Sequence, residues 1–161
     1  MLIIADIDGT IADDRNRKRF LPDNMTKFYQ MMNADPINAP GMELMNAIIA
    51  SDENQEPLVI FLSGRPYSHK SEEGKSINVA LKTRTWLISK NLKFDQIFSK
   101  NPFRDHIEGK INKFVQLVLE HMDERTIYYL EDDPLVAYEA KKRCPMTHVY
   151  LVSYEDYHEI H

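Results

Sequence analysis

Two carboxylates one residue apart, Asp6 and Asp8, stand in the run Asp6-Ile7-Asp8-Gly9-Thr10 directly after the apolar residues Leu2 to Ala5. If that apolar run is a central strand, the pair falls at its carboxyl edge, where open α/β sheets bind ligands. Two acids so close call for a cation. A hard Mg²⁺ ion would take their oxygens and bring a substrate phosphate against one of them. That carboxylate can attack phosphorus and form an aspartyl-phosphate, while the second gives and accepts the proton. Gly9 permits a sharp exit from the strand and the Thr10 hydroxyl can orient the loop. Asp-Gly is also a strong hairpin signal. Ala12-Asp13-Asp14-Arg15-Asn16-Arg17, however, cannot serve as the returning strand.

Elements that could carry such a pair follow in order. Leu2 to Ala5 and Leu58 to Leu62 are too continuously apolar for half-exposed strands and belong inside a parallel sheet. Phe94 to Ser99, Thr126 to Leu130 and His148 to Val152 are three weaker strand candidates, each after a plausible helix. Helices are predicted over Met42 to Ala50, Ile77 to Lys90, Ile107 to Met122 and Leu135 to Arg143. In the third, Asp105 and Glu108 form an acidic variant of a capping box, and Ile111, Phe114, Val115, Val118, Leu119 and Met122 recur at helical spacing. The fold expected is therefore α/β, a five-stranded parallel sheet flanked by helices. Residues 13–40, with Pro22, Pro36, Pro40 and a short helix through Met25 to Met32, read as a small insertion over the sheet edge. Pro66 to Gly74 reads as a polar loop.

Composition bounds the rest. The 161 residues favour one domain, and 43% apolar with 28% charged residues can build a core. No apolar run approaches the ~18 residues of a membrane span. The start of the chain lacks a secretory pattern, so a cytoplasmic protein is expected. Cys144 has no cysteine partner and reads as a buried structural thiol. With 20 basic and 25 acidic side chains, the net charge of −5 argues against broad wrapping of nucleic acid. A local patch could still grip a phosphate.

Leu2-Ile3-Ile4-Ala5-Asp6-Ile7-Asp8-Gly9-Thr10 resembles the first motif of the haloacid dehalogenase (HAD) superfamily, mostly Mg²⁺-dependent phosphatases with a Rossmann-like core. The resemblance implies a Ser or Thr after the second strand to bind the phosphoryl group, and Val59-Ile60-Phe61-Leu62 leads into Ser63-Gly64-Arg65. It also implies a lysine that offsets negative charge on nucleophile and phosphate, for which Lys110 and Lys113 are the candidates. On the helix, Lys110 lies about 110° from the middle of the apolar face and Lys113 about 170° from it, which favours Lys110. The final motif is acidic, and Ile127-Tyr128-Tyr129-Leu130 runs into Glu131-Asp132-Asp133-Pro134. Pro134 suits the first helical position and Asp133 the N-cap, which leaves Asp132 as metal ligand with Glu131 assisting. A register one residue later, pairing Asp132 with Asp133, stays open.

Within the superfamily, the chain is similar to the 3′-phosphatase domain of bacteriophage polynucleotide kinase. The likeness runs through Pro36-Ile37-Asn38-Ala39-Pro40-Gly41-Met42, Ser63-Gly64-Arg65, Thr83-Arg84-Thr85-Trp86-Leu87 and Arg104, six residues before Lys110. It implies that Arg65 contacts the substrate phosphate, that Arg17 reaches the nucleic-acid strand and that Arg104 lines the same mouth. Asp133-Pro134 departs from the pattern, which has a basic residue after the acid pair. The kinase half of such enzymes is not expected here, because Gly74-Lys75-Ser76 has His69 where a P-loop needs its first Gly.

These readings combine into a single-domain phosphomonoesterase, residues 1–161, using Mg²⁺ held by Asp6, Asp8 and Asp132. Asp6 is the expected nucleophile and Asp8 the acid and base. Ser63 and Lys110 hold the phosphoryl group, with Thr10, Gly64, Arg65, Arg17 and Arg104 on the substrate. The small insertion leaves an open mouth that suits a nucleic-acid 3′ end. Two alternatives are a nucleotidase acting on free nucleoside monophosphates and, from another class, a phospho-accepting receiver module. Receivers take phosphate on the third strand, and Phe94 to Ser99 ends without an Asp.

Overall fold

The computed structural model describes residues 1–51, 56–71, 73–100, 106–123 and 125–161. Its centre is β1 (Leu2–Ala5), whose four side chains are all buried. A strand covered on both faces must be apolar at every position, which is why this run shows no alternation. β1 pairs in parallel with β2 (Leu58–Pro66) on one side, Leu2 opposite Leu58. On the other side it pairs with β6 (Ile127–Glu131), Leu2 opposite Ile127. β5 (Gln96–Lys100) extends the sheet beyond β2, and β7 (His148–Val152) extends it beyond β6.

These five strands are parallel, as the alternation of strands and helices predicts. A sixth, β8 (Tyr157–Ile160), adds an antiparallel edge to β7, so the sheet runs β5-β2-β1-β6-β7-β8. The sequence gives β8 little signal, because only Ile160 of its four residues is buried.

Successive side chains of β1 point to opposite faces and seed two cores. Leu2 and Ile4 pack with Ile111, Phe114 and Val118 of α5 (His106–His121) and with Val136 and Ala137 of α6 (Pro134–Arg143). Ile3 and Ala5 pack with Leu44 and Ile48 of α3 (Ala39–Ala50) and with Trp86 and Leu87 of α4 (Val79–Ser89). Cys144 is buried beside α6 as a free thiol. Asp133 caps α6, its Oδ1 accepting from Leu135 N at 2.9 Å, with Pro134 in the first turn. Asp105, expected to cap α5, lies outside the described residues.

The stretch 13–40 carries two short helices, α1 (Arg15–Lys18) and α2 (Met25–Gln30), and a 3₁₀ turn (Met31–Ala34). Phe28, Tyr29 and Met32 give it a small apolar cluster with Val79. The polar segment after β2, read from the sequence as a loop, contains a hairpin of β3 (Ser68–Lys70) and β4 (Ser76–Asn78). Its strands are three residues long and nowhere fully buried, so no hydrophobic period could announce them. No helix among the described residues is long and apolar enough to cross a membrane.

Candidate active site

Where β1 ends, Asp6 continues the ladder by donating its backbone N–H to Leu130 O at 2.9 Å, which fixes its carboxylate at the carboxyl edge of the sheet. The adjacent end of β6 delivers Glu131 and Asp132 to the same point. One carboxylate oxygen from each of Asp6, Glu131 and Asp132 lies within 4.8 Å of the others. Lys110 enters from the first turns of α5, and its Nζ lies 2.7 Å from Asp6 Oδ1 and 2.7 Å from Glu131 Oε2. Lys113, one turn further, stays outside, with its Nζ 3.9 Å from the centre of the Phe98 ring. Tyr129, stacked on Phe114, donates its hydroxyl to Glu131.

Three acids around one ammonium leave an excess of negative charge. Burial pushes the Asp6 carboxyl upward, and Glu131 and Asp8 add to the shift against the pull of Lys110. Burial raises Asp132 as well, followed by repulsion from Asp6 and Glu131. Burial works against the Lys110 charge, but Asp6 and Glu131 overcome it and keep the ammonium protonated. An all-oxygen donor set with surplus negative charge suits a hard divalent cation.

Asp8 stands in the opposite setting. Gly9 turns the chain with φ of +85°, and a Cβ there would come 2.0 Å from Asp132 Oδ2, so only glycine lets the two acidic tips approach. The Asp8 carboxylate then faces two guanidiniums, Arg65 from β2 and Arg17 from α1. Arg65 Nε lies 3.0 Å from Asp8 Oδ2. Burial alone would raise this acid, yet Arg65 and then Arg17 lower it to about 2. Arg17 Nε also donates to Asp35 Oδ2 at 2.7 Å, and its guanidinium lies 4.2 Å from the centre of the Phe28 ring. Asp35 is pushed up to about 6 by burial, against the pull of Arg17.

Several sequence expectations change in this geometry. The carboxylate cluster is Asp6, Glu131 and Asp132 rather than Asp6, Asp8 and Asp132, because the arginines hold the Asp8 side chain on the other side of the loop. Thr10, expected on the substrate, is fully buried, and its Oγ1 has no hydrogen-bond partner among the described residues. The loop tucks it inward through Ile11 N and Ala12 N, which donate to Ile7 O at 3.0 and 2.7 Å. Arg17 is 1% exposed and sits beneath the loop instead of reaching out to a strand. Ser63 is buried, accepting from Arg65 N at 3.1 Å, while Gly64 and Arg65 line the cavity above it. Arg104 lies outside the described residues.

Sequence reasoning assigned no role to two supporting residues. Asp35 anchors Arg17. Asn38 Nδ2 donates to the carbonyls of Gly9 at 2.9 Å and Thr10 at 3.0 Å, holding the loop in place. It also reaches Ser153 O at 3.0 Å, and Tyr154 next door donates to Asp14 Oδ1 at 2.6 Å and accepts from Lys18 Nζ at 2.9 Å. A segment beyond β7 thereby braces the mouth. Asp35 and Asn38 flank Pro36-Ile37, and that local kink was the available signal.

Above both groups opens a cavity of about 540 Å³, with Asp6, Asp8, Lys110 and Asp132 at its base and Leu21, Met25 and Tyr29 from the insertion along one wall. Such a volume accommodates a small phosphate ester.

A comparison with curated protein sequences finds no match. Two solved structures resemble the fold: a Pnkp1/Rnl/Hen1 complex, with a TM-score of 0.57, and the Pnkp1/Rnl/Hen1 RNA repair complex, with 0.60. Each likeness covers 91% of this chain at 19% identity, and the chain spans about two fifths of those chains, 42% and 40%. The family described as the polynucleotide kinase PNKP phosphatase domain matches residues 1–132, a span that holds Asp6, Asp8, Ser63, Lys110 and the Glu131-Asp132 pair. With more than half of its length matched, the chain belongs to that family of HAD-type phosphatases.

Proposed function

We propose that the chain removes the 3′-phosphate from nucleic-acid ends, with Asp6 as nucleophile and Mg²⁺ as cofactor. The observation that carries this reading is the pairing of Asp6 with Lys110 at 2.7 Å beneath an open cavity, at the carboxyl edge of the central strand. Asp6, Glu131 and Asp132 would hold the ion, which when bound would offset their charge and that of a phosphate.

Asp6 attacks phosphorus, the P–O bond to the leaving alcohol breaks, and the Asp6 carboxylate carries the phosphoryl group. Lys110 holds the attacking carboxylate in place and balances charge on the transferring oxygens. Ser63 and the backbone at Gly64 receive those oxygens. Asp8 protonates the leaving alkoxide, then takes the proton of the water that cleaves the aspartyl-phosphate. Held near 2 by its arginines, Asp8 rests as the ionised base. Its acid role requires Arg65 to turn towards the substrate phosphate, which would free the carboxyl to take up a proton.

Among the described residues no large cap covers the cavity, which favours a polymer end. The acidic balance of the chain favours the second reading, a nucleotidase for free mononucleotides. The receiver-like alternative lapses with membership of a phosphatase family. Phosphate release from 3′- and 5′-phosphorylated oligonucleotides and from free 3′- and 5′-mononucleotides, each with Mg²⁺ and with chelator, separates these readings. The expected result is Mg²⁺-dependent release from the 3′-phosphorylated oligonucleotide. Preference for free mononucleotides overturns the polymer-end assignment, and full activity of Asp6→Asn overturns the mechanism.

A further inference from the structure

A second cavity, of about 520 Å³, lies between α2 and the β3–β4 hairpin and shares Pro22 and Met25 with the wall of the catalytic cavity. The two volumes are similar, and each falls in the range of about 300–1,000 Å³ that holds a ligand of nucleotide size. The partition between them is aromatic. Tyr29, on the catalytic side, and His69, on the far side, have ring centres 5.1 Å apart, and His69 Nε2 lies 3.1 Å from Thr26 Oγ1 of α2.

Charge in this groove runs against that of the chain. Among the described residues, Lys27, Lys70 and Lys75 line it against Asp23 and Glu73, whereas acids outnumber bases 25 to 20 over the whole sequence. Lys75 pairs with Glu73 at 3.1 Å. Lys27 rests its Nζ 4.7 Å from the Phe20 ring centre. Lys70 forms no ion pair with the described residues and is exposed. An exposed cation, a second one steadied on an aromatic face and a half-buried imidazole ring are the components with which proteins hold a single strand, by phosphate pairing and base stacking.

We infer that this groove is a subsite for the nucleotides preceding the 3′ end of a single nucleic-acid strand, with Lys27 and Lys70 on backbone phosphates and His69 beside a base. The inference rests on the proposed 3′-phosphatase reading and extends it from the terminal phosphate to the strand behind it.

The test measures kcat/KM for 3′-phosphorylated oligomers of one to five nucleotides, in deoxy and ribo series, on wild type and on the double variant Lys27→Ala/Lys70→Ala. Alongside it, fluorescence anisotropy follows a labelled five-nucleotide strand with a 3′-hydroxyl, whose binding needs no catalysis. Wild type should gain about tenfold or more in kcat/KM between one and four nucleotides in at least one series, as expected for two phosphate contacts. The double variant should keep the mononucleotide rate and lose most of that gain. Its salt dependence for strand binding should flatten by about 0.7 in log–log slope per lost contact. Lys70→Arg should restore binding. An equal length gain in the double variant, or strand affinity and salt slope unchanged from wild type, overturns the subsite. Absence of release from every 3′-phosphorylated substrate overturns the 3′-phosphatase reading instead, and the anisotropy series still decides the groove.

Discussion

Asp6 and Asp8 are the same residue type, separated by one position, yet the structure gives them opposite surroundings. Asp6 shares its space with Glu131 and Asp132, and among the described residues Lys110 is the cation paired with it, so burial and repulsion raise its pKa. Asp8 is gripped by Arg65 and Arg17, and its pKa falls to about 2. Around Asp6 the acids outnumber the cation paired with them, whereas around Asp8 two arginines balance Asp8 and Asp35. Such pairs, driven apart by their environments, suit the separate nucleophile and proton-carrier roles proposed for them.

The comparison breaks most visibly under paired substitution. Asp6→Asn should lower phosphate release by about 10⁴-fold or more, as loss of a nucleophile does, with little loss of stability because it relieves a crowded carboxylate. Asp8→Asn should lower release by roughly 10²–10⁴-fold. It should also cost about 3–5 kcal/mol, since it leaves two buried guanidiniums without their shared anion. In a chain of this size that is a fall in Tm of roughly 6–20 °C. Release assays and thermal melting on both variants check this, and equal melting temperatures would erase the distinction.

Lys110→Met isolates the acidic side. Removing the ammonium paired with Asp6 and Glu131 should cost about 10²–10³-fold in release, read at saturating substrate. The charge deficit should also appear as a ligand effect. Mg²⁺ at a hundred times its Kd should add about 2.7 kcal/mol of stability to wild type. By differential scanning fluorimetry that gain should vanish in Asp132→Asn and survive in Asp8→Asn, whose side chain lies outside the cluster. The smallest effect is expected of Lys113→Ala, with release unchanged and stability within about 0.5 kcal/mol, because among the described residues its ammonium meets Gln116 and the face of Phe98.

How much of this was legible follows from what each residue contacts. β1 and β2 could be read because burial on two faces forces a continuous apolar run. α5 could be read because its buried stripe keeps the helical period, and the same geometry separates Lys110 from Lys113. β8 and the β3–β4 hairpin could not, since a strand with one buried residue or none carries no period. In the site, Asp6 and the Glu131-Asp132 pair announce themselves by position at strand ends. The placement of Arg17 does not, because the buried partner that draws it inward, Asp35, is eighteen residues away. The burial of Thr10 is hidden for a related reason: the fold of its loop depends on Asn38, which acts across a gap no local pattern bridges.

The brace formed by Ser153 and Tyr154 bears on any attempt to transplant this catalytic unit. The family match ends at residue 132, but the clamp on the Gly9-Thr10 turn and on Asp14 and Lys18 arrives from about twenty positions later. A graft trimmed to the matched span would keep every proposed reactive side chain and discard the buttress that keeps the entrance in shape. The working unit is thus set by where the polypeptide doubles back, and a chimera should carry the antiparallel edge along with its chemistry.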